Sequence, residues 1–156
     1  MSQRKVEIHE GASSAEIDEL AANLREQDIA ECLAGGVVGL KDAIAEGVKI
    51  SVLCWTGLVD GKVACIFGVS PTTLLGDQGI VWMLGTPLIA KNARAFIRNS
   101  RTYIAQMLRA YPHLYNFVHV PNTRAIGWLK RMGFTVYNDP VVTATGEQFY
   151  PFELKA

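Results

Sequence analysis

The sequence predicts an α/β fold: a mixed, mostly antiparallel sheet of about six to seven strands, with a parallel pair at its centre and helices on its flanks. Segments with helical apolar spacing alternate with β-branched and aromatic runs. The stretch Val48 to Val69 reads as a hairpin folded at Asp60-Gly61. A long helical stretch after Gly85 lies between two apolar runs, and a helix in that place is a crossover between parallel neighbours.

Lys5 to His9 alternates and opens the chain as a strand. Ser13 and Glu16 have capping-box spacing, and Ile17, Leu20, Ala21 and Leu24 recur on one helical face behind them. Ile29, Cys32 and Leu33 mark a second short helix ended by Gly35-Gly36, and Leu40, Ala43 and Ile44 a third that stops at Gly47. The hairpin strands are Val48–Val59 and Val63–Val69. After the loop from Pro71 to Gly79, Ile80 to Leu84 forms the next strand.

Thr86 as cap and Pro87 at the first helical position then start one long helix running to about Tyr111. Phe96, Ile97, Ile104, Met107 and Leu108 make its apolar face, and Lys91, Arg94, Arg98 and Arg101 form a basic stripe beside it. Leu114 to Val120 is a strand and Thr123 to Met132 a short amphipathic helix. Phe134–Asn138 and Gln148–Leu154 are the closing strands, around turns at Asp139-Pro140 and Gly146. No repeat, linker or low-complexity stretch divides the chain, which reads as one domain, 1–156.

A hydrophobic content of 49% fills a core without metal or disulfides. Lys plus Arg and Asp plus Glu balance at 15 each, so no net field draws the molecule to nucleic acid or an anionic membrane. Cys32, Cys54 and Cys65 lack ligand spacing and sit in apolar runs, as reduced core residues do. No run approaches the roughly 18 apolar residues of a membrane span, and no leader pattern opens the sequence, so a soluble protein made in a cytoplasm is expected.

The segment Asn122-Thr-Arg-Ala125-Ile126-Gly-Trp128-Leu129-Lys-Arg-Met-Gly133-Phe134 resembles the C-terminal signature of GNAT acetyltransferases. Its physics is legible: Asn122 caps a helix, Ala125, Trp128, Leu129 and Met132 make the buried stripe, and Gly133 ends it. The order of elements along the chain agrees with that fold. A scattered string from Leu24-Arg25-Glu26, Asp28 and Glu31-Cys32 through Trp82, Leu84-Gly85-Thr86, Arg94, Phe96, Arg98, Arg101 and Tyr111-Pro112 to Gly133-Phe134 is similar to a bacteriophage GNAT-like family. That family includes internal virion proteins of short-tailed phages.

The sequence departs from the enzyme pattern at two places. GNAT enzymes hold the pyrophosphate of coenzyme A in a glycine-containing loop between the central strand and the long helix. Here that place reads Gly85-Thr-Pro-Leu-Ile-Ala-Lys-Asn-Ala-Arg94, without the second glycine. Free amides at the helix start, with Lys91 and Arg94, still attract an anion there. Seven residues after Asn122, where many family enzymes carry a proton-donating Tyr, stands Leu129, which has no proton to give.

The resemblance makes Gly85, Thr86, Lys91, Arg94 and Asn122 the cofactor-binding candidates and places Asp28 and Glu31 at an acceptor site for a cationic amine. Asp28 and Glu31 are otherwise a solvated helix face. His119, at a strand end before Asn122, is the candidate catalytic base; its ordinary role would be a bond to solvent or backbone. His9 and His113 have no ligand partners and no metal is expected. The basic stripe lacks interleaved aromatics for stacking on bases.

Two functions are implied. One is a role in virion structure or assembly through contacts with other phage virion proteins, in the bacterial host's cytoplasm and the virion, with acyl transfer weakened or lost and no cofactor. In that reading Pro87, Leu88 and Ile89 fill the groove between Leu84 and Val118. The alternative to it is an acetyl-CoA-dependent N-acetyltransferase acting on a small-molecule or protein amine. Neither a membrane nor a nucleic acid partner is expected.

Overall fold

The computed structural model describes residues 4–156. The elements in chain order are β1 (Val6–Glu10), α1 (Ser14–Ala22), α2 (Glu26–Ala34), α3 (Leu40–Ile50), β2 (Leu53–Val59), β3 (Lys62–Pro71), β4 (Gln78–Gly85), α4 (Pro87–Lys91), α5 (Ala93–Ala110), β5 (His113–His119), α6 (Thr123–Arg131), β6 (Thr135–Val136), β7 (Val141–Val142) and β8 (Gln148–Lys155). The sheet has eight strands in the order β1-β2-β3-β4-β5-β8-β6, with β7 also on β8. Every pairing is antiparallel except β4 with β5. The mixed sheet with its central parallel pair is the one the sequence predicts.

Local chemistry explains most boundaries. Ser13 accepts from the Glu16 amide while Glu16 reaches back to the Ser13 amide, completing the capping box of α1. Asp60 and Gly61 both take positive φ, 51° and 79°, the geometry of a tight hairpin turn. Asn122 accepts from the Ala125 amide to cap α6, and Gly133 leaves that helix at φ 100°.

Three expectations are corrected. Gly47 does not end α3, which continues to Ile50 and is closed by the Ser51 hydroxyl donating to the Gly47 carbonyl at 2.7 Å. Val48 to Ile50 are therefore helical, because the apolar face of α3 outweighs their β propensity. The long helix after Gly85 is broken: Asn92 leaves helical geometry at φ −122°, and its side-chain amide donates to the Leu88 carbonyl. Of the predicted strand Phe134–Asn138 only Thr135–Val136 forms, as β6, and Val141–Val142 adds a two-residue strand, β7, that was not predicted.

Helices cover both faces. On one, Ile17 and Leu20 of α1, Leu24 just after it and Ile44 of α3 pack against Val63, Ile66, Trp82 and Leu84. On the other, α5 and α6 pack Phe96, Met107 and Trp128 against the remaining core. Cys54 and Cys65 are buried and Cys32 half-buried, all as free thiols. Among the described residues no helix is long and apolar enough to cross a membrane.

Candidate functional site

The parallel pairing of β4 and β5 is short. Gln78, Gly79 and Ile80 pair with His113, Leu114 and Tyr115, and beyond that point the strands part. Asn116 spans the start of the opening by donating its side-chain amide to the Val81 carbonyl at 2.8 Å. A side chain thus ends the ladder where backbone pairing would continue.

Strand alternation fixes what faces the gap. Val81 directs its carbonyl there, and Gly85 directs both backbone groups the same way, its N–H to Asp28 and its C=O to the Arg25 amide. Met83 lies midway between them, so its N–H points along the same edge, from which β5 has diverged. Thr86 points the other way, its amide donating to Ala64 of β3. The edge of β4 carries one amide, that of Met83, for a carbonyl oxygen in the gap.

A cavity of about 490 Å³ runs through this gap from one face of the sheet to the other. On the α5/α6 side it is lined by Met83, Phe96, Ser100, Asn122, Ala125 and Leu129. Asn122 is buried, and while its Oδ1 caps α6, its Nδ2 has no hydrogen-bond partner. A buried donor without an acceptor is costly, and this one borders an open cavity that a ligand carbonyl could enter.

On the α2/α3 side the lining includes Asp28, Glu31, Cys32, Val37, Leu40 and Trp82. Arg25 and Asp28 form a buried ion pair, with Nη2 at 2.9 Å from Oδ1, and Asp28 Oδ2 also accepts the Gly85 amide at 2.7 Å. Glu31 accepts the His119 amide through Oε1. Burial is the largest influence on its carboxyl and raises it above the usual carboxylate range. Burial also pushes the Cys32 thiol up to about 11, so it stays protonated near neutrality.

Of the candidates read from the sequence, Asp28, Glu31 and Asn122 line the cavity together. His119 is not among the lining residues: its Nε2 lies 2.9 Å from Glu147 and its ring packs on Phe149. Gly85 and Thr86 sit at the end of β4, where a Cβ on Gly85 would come within 2.7 Å of Ile89. Thr86 donates its hydroxyl proton to the Val63 carbonyl. The Leu88 and Ile89 amides are spent on Thr86, so the first two amides after it are occupied. Lys91 and Arg94 are exposed, as are Arg98 and Arg101 of the basic stripe.

The groove is open, contrary to the expectation that Pro87, Leu88 and Ile89 fill it. The Thr86 cap turns these residues into α4 and away from the gap, and Ile89 is buried instead with Ala64, Cys65, Phe96 and Trp128. Met83 and Trp82 also line the cavity, and the sequence marks them only as members of the strand Ile80 to Leu84. A continuous apolar run does not tell which of its residues face a cavity; the parting of β5 decides that. Among the described residues no cluster of His, Cys, Asp and Glu could hold a metal.

This architecture recurs in solved structures. An acetyltransferase of the GNAT family from Streptococcus pneumoniae is similar at 13% identity and TM-score 0.66, covering 97% of this chain and 100% of that one. An IAA acetyltransferase from Bacillus cereus matches at 11% identity and TM-score 0.63, over 97% and 100%. The PaiA N-acetyltransferase from Thermoplasma acidophilum, solved in complex with coenzyme A, matches at 13% and 0.62, over 97% and 99%. No family model matches the sequence, and no curated protein sequence matches it. The chain has the GNAT acetyltransferase fold.

Proposed function

We propose that the protein transfers an acetyl group from acetyl-CoA to a primary amine. The observation that carries this reading is the cavity through the parted strands, with the unpartnered Asn122 Nδ2 on one side of the sheet and the raised carboxyl of Glu31 on the other. A site built only for protein contacts has no need of a passage through its own sheet.

The donor supplies an acetyl group activated as a thioester. Asn122 Nδ2 offers a hydrogen bond to an amide carbonyl of its pantetheine arm, satisfying the orphaned donor. The Met83 N–H is placed to bind the oxygen on which charge develops. With the first amides of α4 occupied, the pyrophosphate would be met at the start of α5, which has no side-chain cap, by Arg94 and by Lys91 beside it.

Glu31 accepts the proton of the incoming ammonium, leaving a neutral amine. His119 contributes its backbone N–H to orient Glu31, its imidazole being engaged with Glu147. Cys32, protonated near neutrality, is a poor nucleophile, which favours direct transfer to the amine over an acyl-cysteine. Leu129 borders the cavity and gives no proton to the departing thiolate, which takes one from solvent.

The test is thiol release with acetyl-CoA and a panel of primary amines. Amine-dependent release, cut about a hundredfold by Glu31→Gln, is expected; no release with any amine contradicts the reading. One observation favours a second role, in virion assembly: Leu74 and Leu75, 97% and 95% exposed in the β3–β4 loop, form an apolar tip suited to protein contact. Co-purification with phage virion proteins, lost on Leu74→Ser with Leu75→Ser, tests it.

A further inference from the structure

We infer that the α2/α3 side of the cavity takes a primary amine carrying a single positive charge on an aromatic or branched apolar body. The inference rests on the acetyltransferase reading and names the acceptor for that same site.

Charge is the first argument. The charged residues lining this side are Arg25, Asp28 and Glu31. Arg25 and Asp28 neutralise each other, and the two Asp28 oxygens are filled by the guanidinium and the Gly85 amide. Glu31 uses Oε1 for the His119 amide, and among the described residues its Oε2 accepts no hydrogen bond. The cavity therefore presents one carboxylate oxygen to one ammonium. A polyamine would bring further charges with no counterpart, at the cost of burying them unpaired.

Shape and surface are the second argument. Away from Glu31 the wall is Val37, Leu40, Ile44, Trp82 and Leu84, with Gly47. Trp82 is fixed in orientation, its indole N–H donating to Ser51 Oγ at 2.8 Å while that hydroxyl donates to the Gly47 carbonyl. Gly47 leaves space beside the ring: a Cβ there would be in ordinary contact, 3.9 Å from Trp82 Cζ2, and only a longer side chain would take up the cavity. A rigid indole beside aliphatic side chains suits a ring or branched chain. These apolar side chains leave the amides of a peptide amine unsatisfied.

Calorimetry on the whole protein without acetyl-CoA tests the inference, using 2-phenylethylamine, spermidine and a tri-alanine peptide as probes. The expected result is binding of 2-phenylethylamine about tenfold tighter than either comparison and weakened about tenfold or more by Glu31→Gln, the scale of a lost charged hydrogen bond. Gly47→Leu, which narrows the wall without touching Glu31, should weaken 2-phenylethylamine similarly and leave acetyl-CoA binding intact. Preference for spermidine or the peptide, or no binding of 2-phenylethylamine, overturns the inference. A separate titration with acetyl-CoA on the same sample judges the acetyltransferase reading, so the two failures are distinguishable.

Discussion

Asp28 and Gly85, 57 residues apart in the chain, meet where the Gly85 amide donates to Asp28 Oδ2 at 2.7 Å. With the Arg25 guanidinium on the same carboxylate, this contact fastens α2 to the end of β4. It holds the α2 wall of the cavity against the strand that carries Met83.

Removing one side of that fastening should be costly. Asp28→Ala leaves Arg25 buried without its counter-charge and Gly85 without its acceptor, and is expected to lower stability by about 3 to 5 kcal/mol. Chemical denaturation measures it. The double variant with Arg25→Met should recover part of the loss, because no unpaired charge remains.

Trp128 is only 9% exposed and packs with Ile89 and Phe96 while bordering the cavity. Trp128→Ala should destabilise by about 3 to 5 kcal/mol. A thermal melt little changed by that substitution would show that α6 is not pinned to the core by this ring.

Asn122 has two separable roles. Asn122→Asp keeps an oxygen for the Ala125 amide and removes the donor on the cavity side, so the melting temperature should hold while affinity for coenzyme A falls about threefold to tenfold. Asn122→Ala should also lose the helix cap, about 1 kcal/mol.

Glu31 predicts a pH dependence. Its carboxyl holds a proton above the ordinary value of 4.5, so in that window the folded state binds more protons than the unfolded chain. Stability then falls as pH rises from the ordinary value through the raised one. Glu31→Gln, which still offers an oxygen to the His119 amide, should melt like the parent in acid below the ordinary carboxylate value and above the parent at neutral pH.

Much of this was legible in order of residues. Ser13 with Glu16, Asp60-Gly61 and Asn122 through Gly133 are local devices whose partners lie within a few residues, so spacing reveals them. The site depended on distant pairings. Asn116 donates to Val81 across 35 residues, and that bond marks where β4 and β5 part. The His119 ring turns to Glu147, 28 residues on, so its neighbours in sequence say nothing of its direction. Gly47 and Asn92 misled in opposite ways. Gly47 lies within a helix that packing sustains, while Asn92 breaks one through its own side chain, a choice the alternating apolar face conceals.

In the acetyltransferase reading, the passage between β4 and β5 holds acetyl-CoA. Calorimetric titration with acetyl-CoA is the decisive measurement. A single saturable site is expected, with a dissociation constant in roughly the micromolar range, weakened by Asn122→Asp and by rising salt. A flat titration with millimolar acetyl-CoA, from protein shown to be folded, would contradict it.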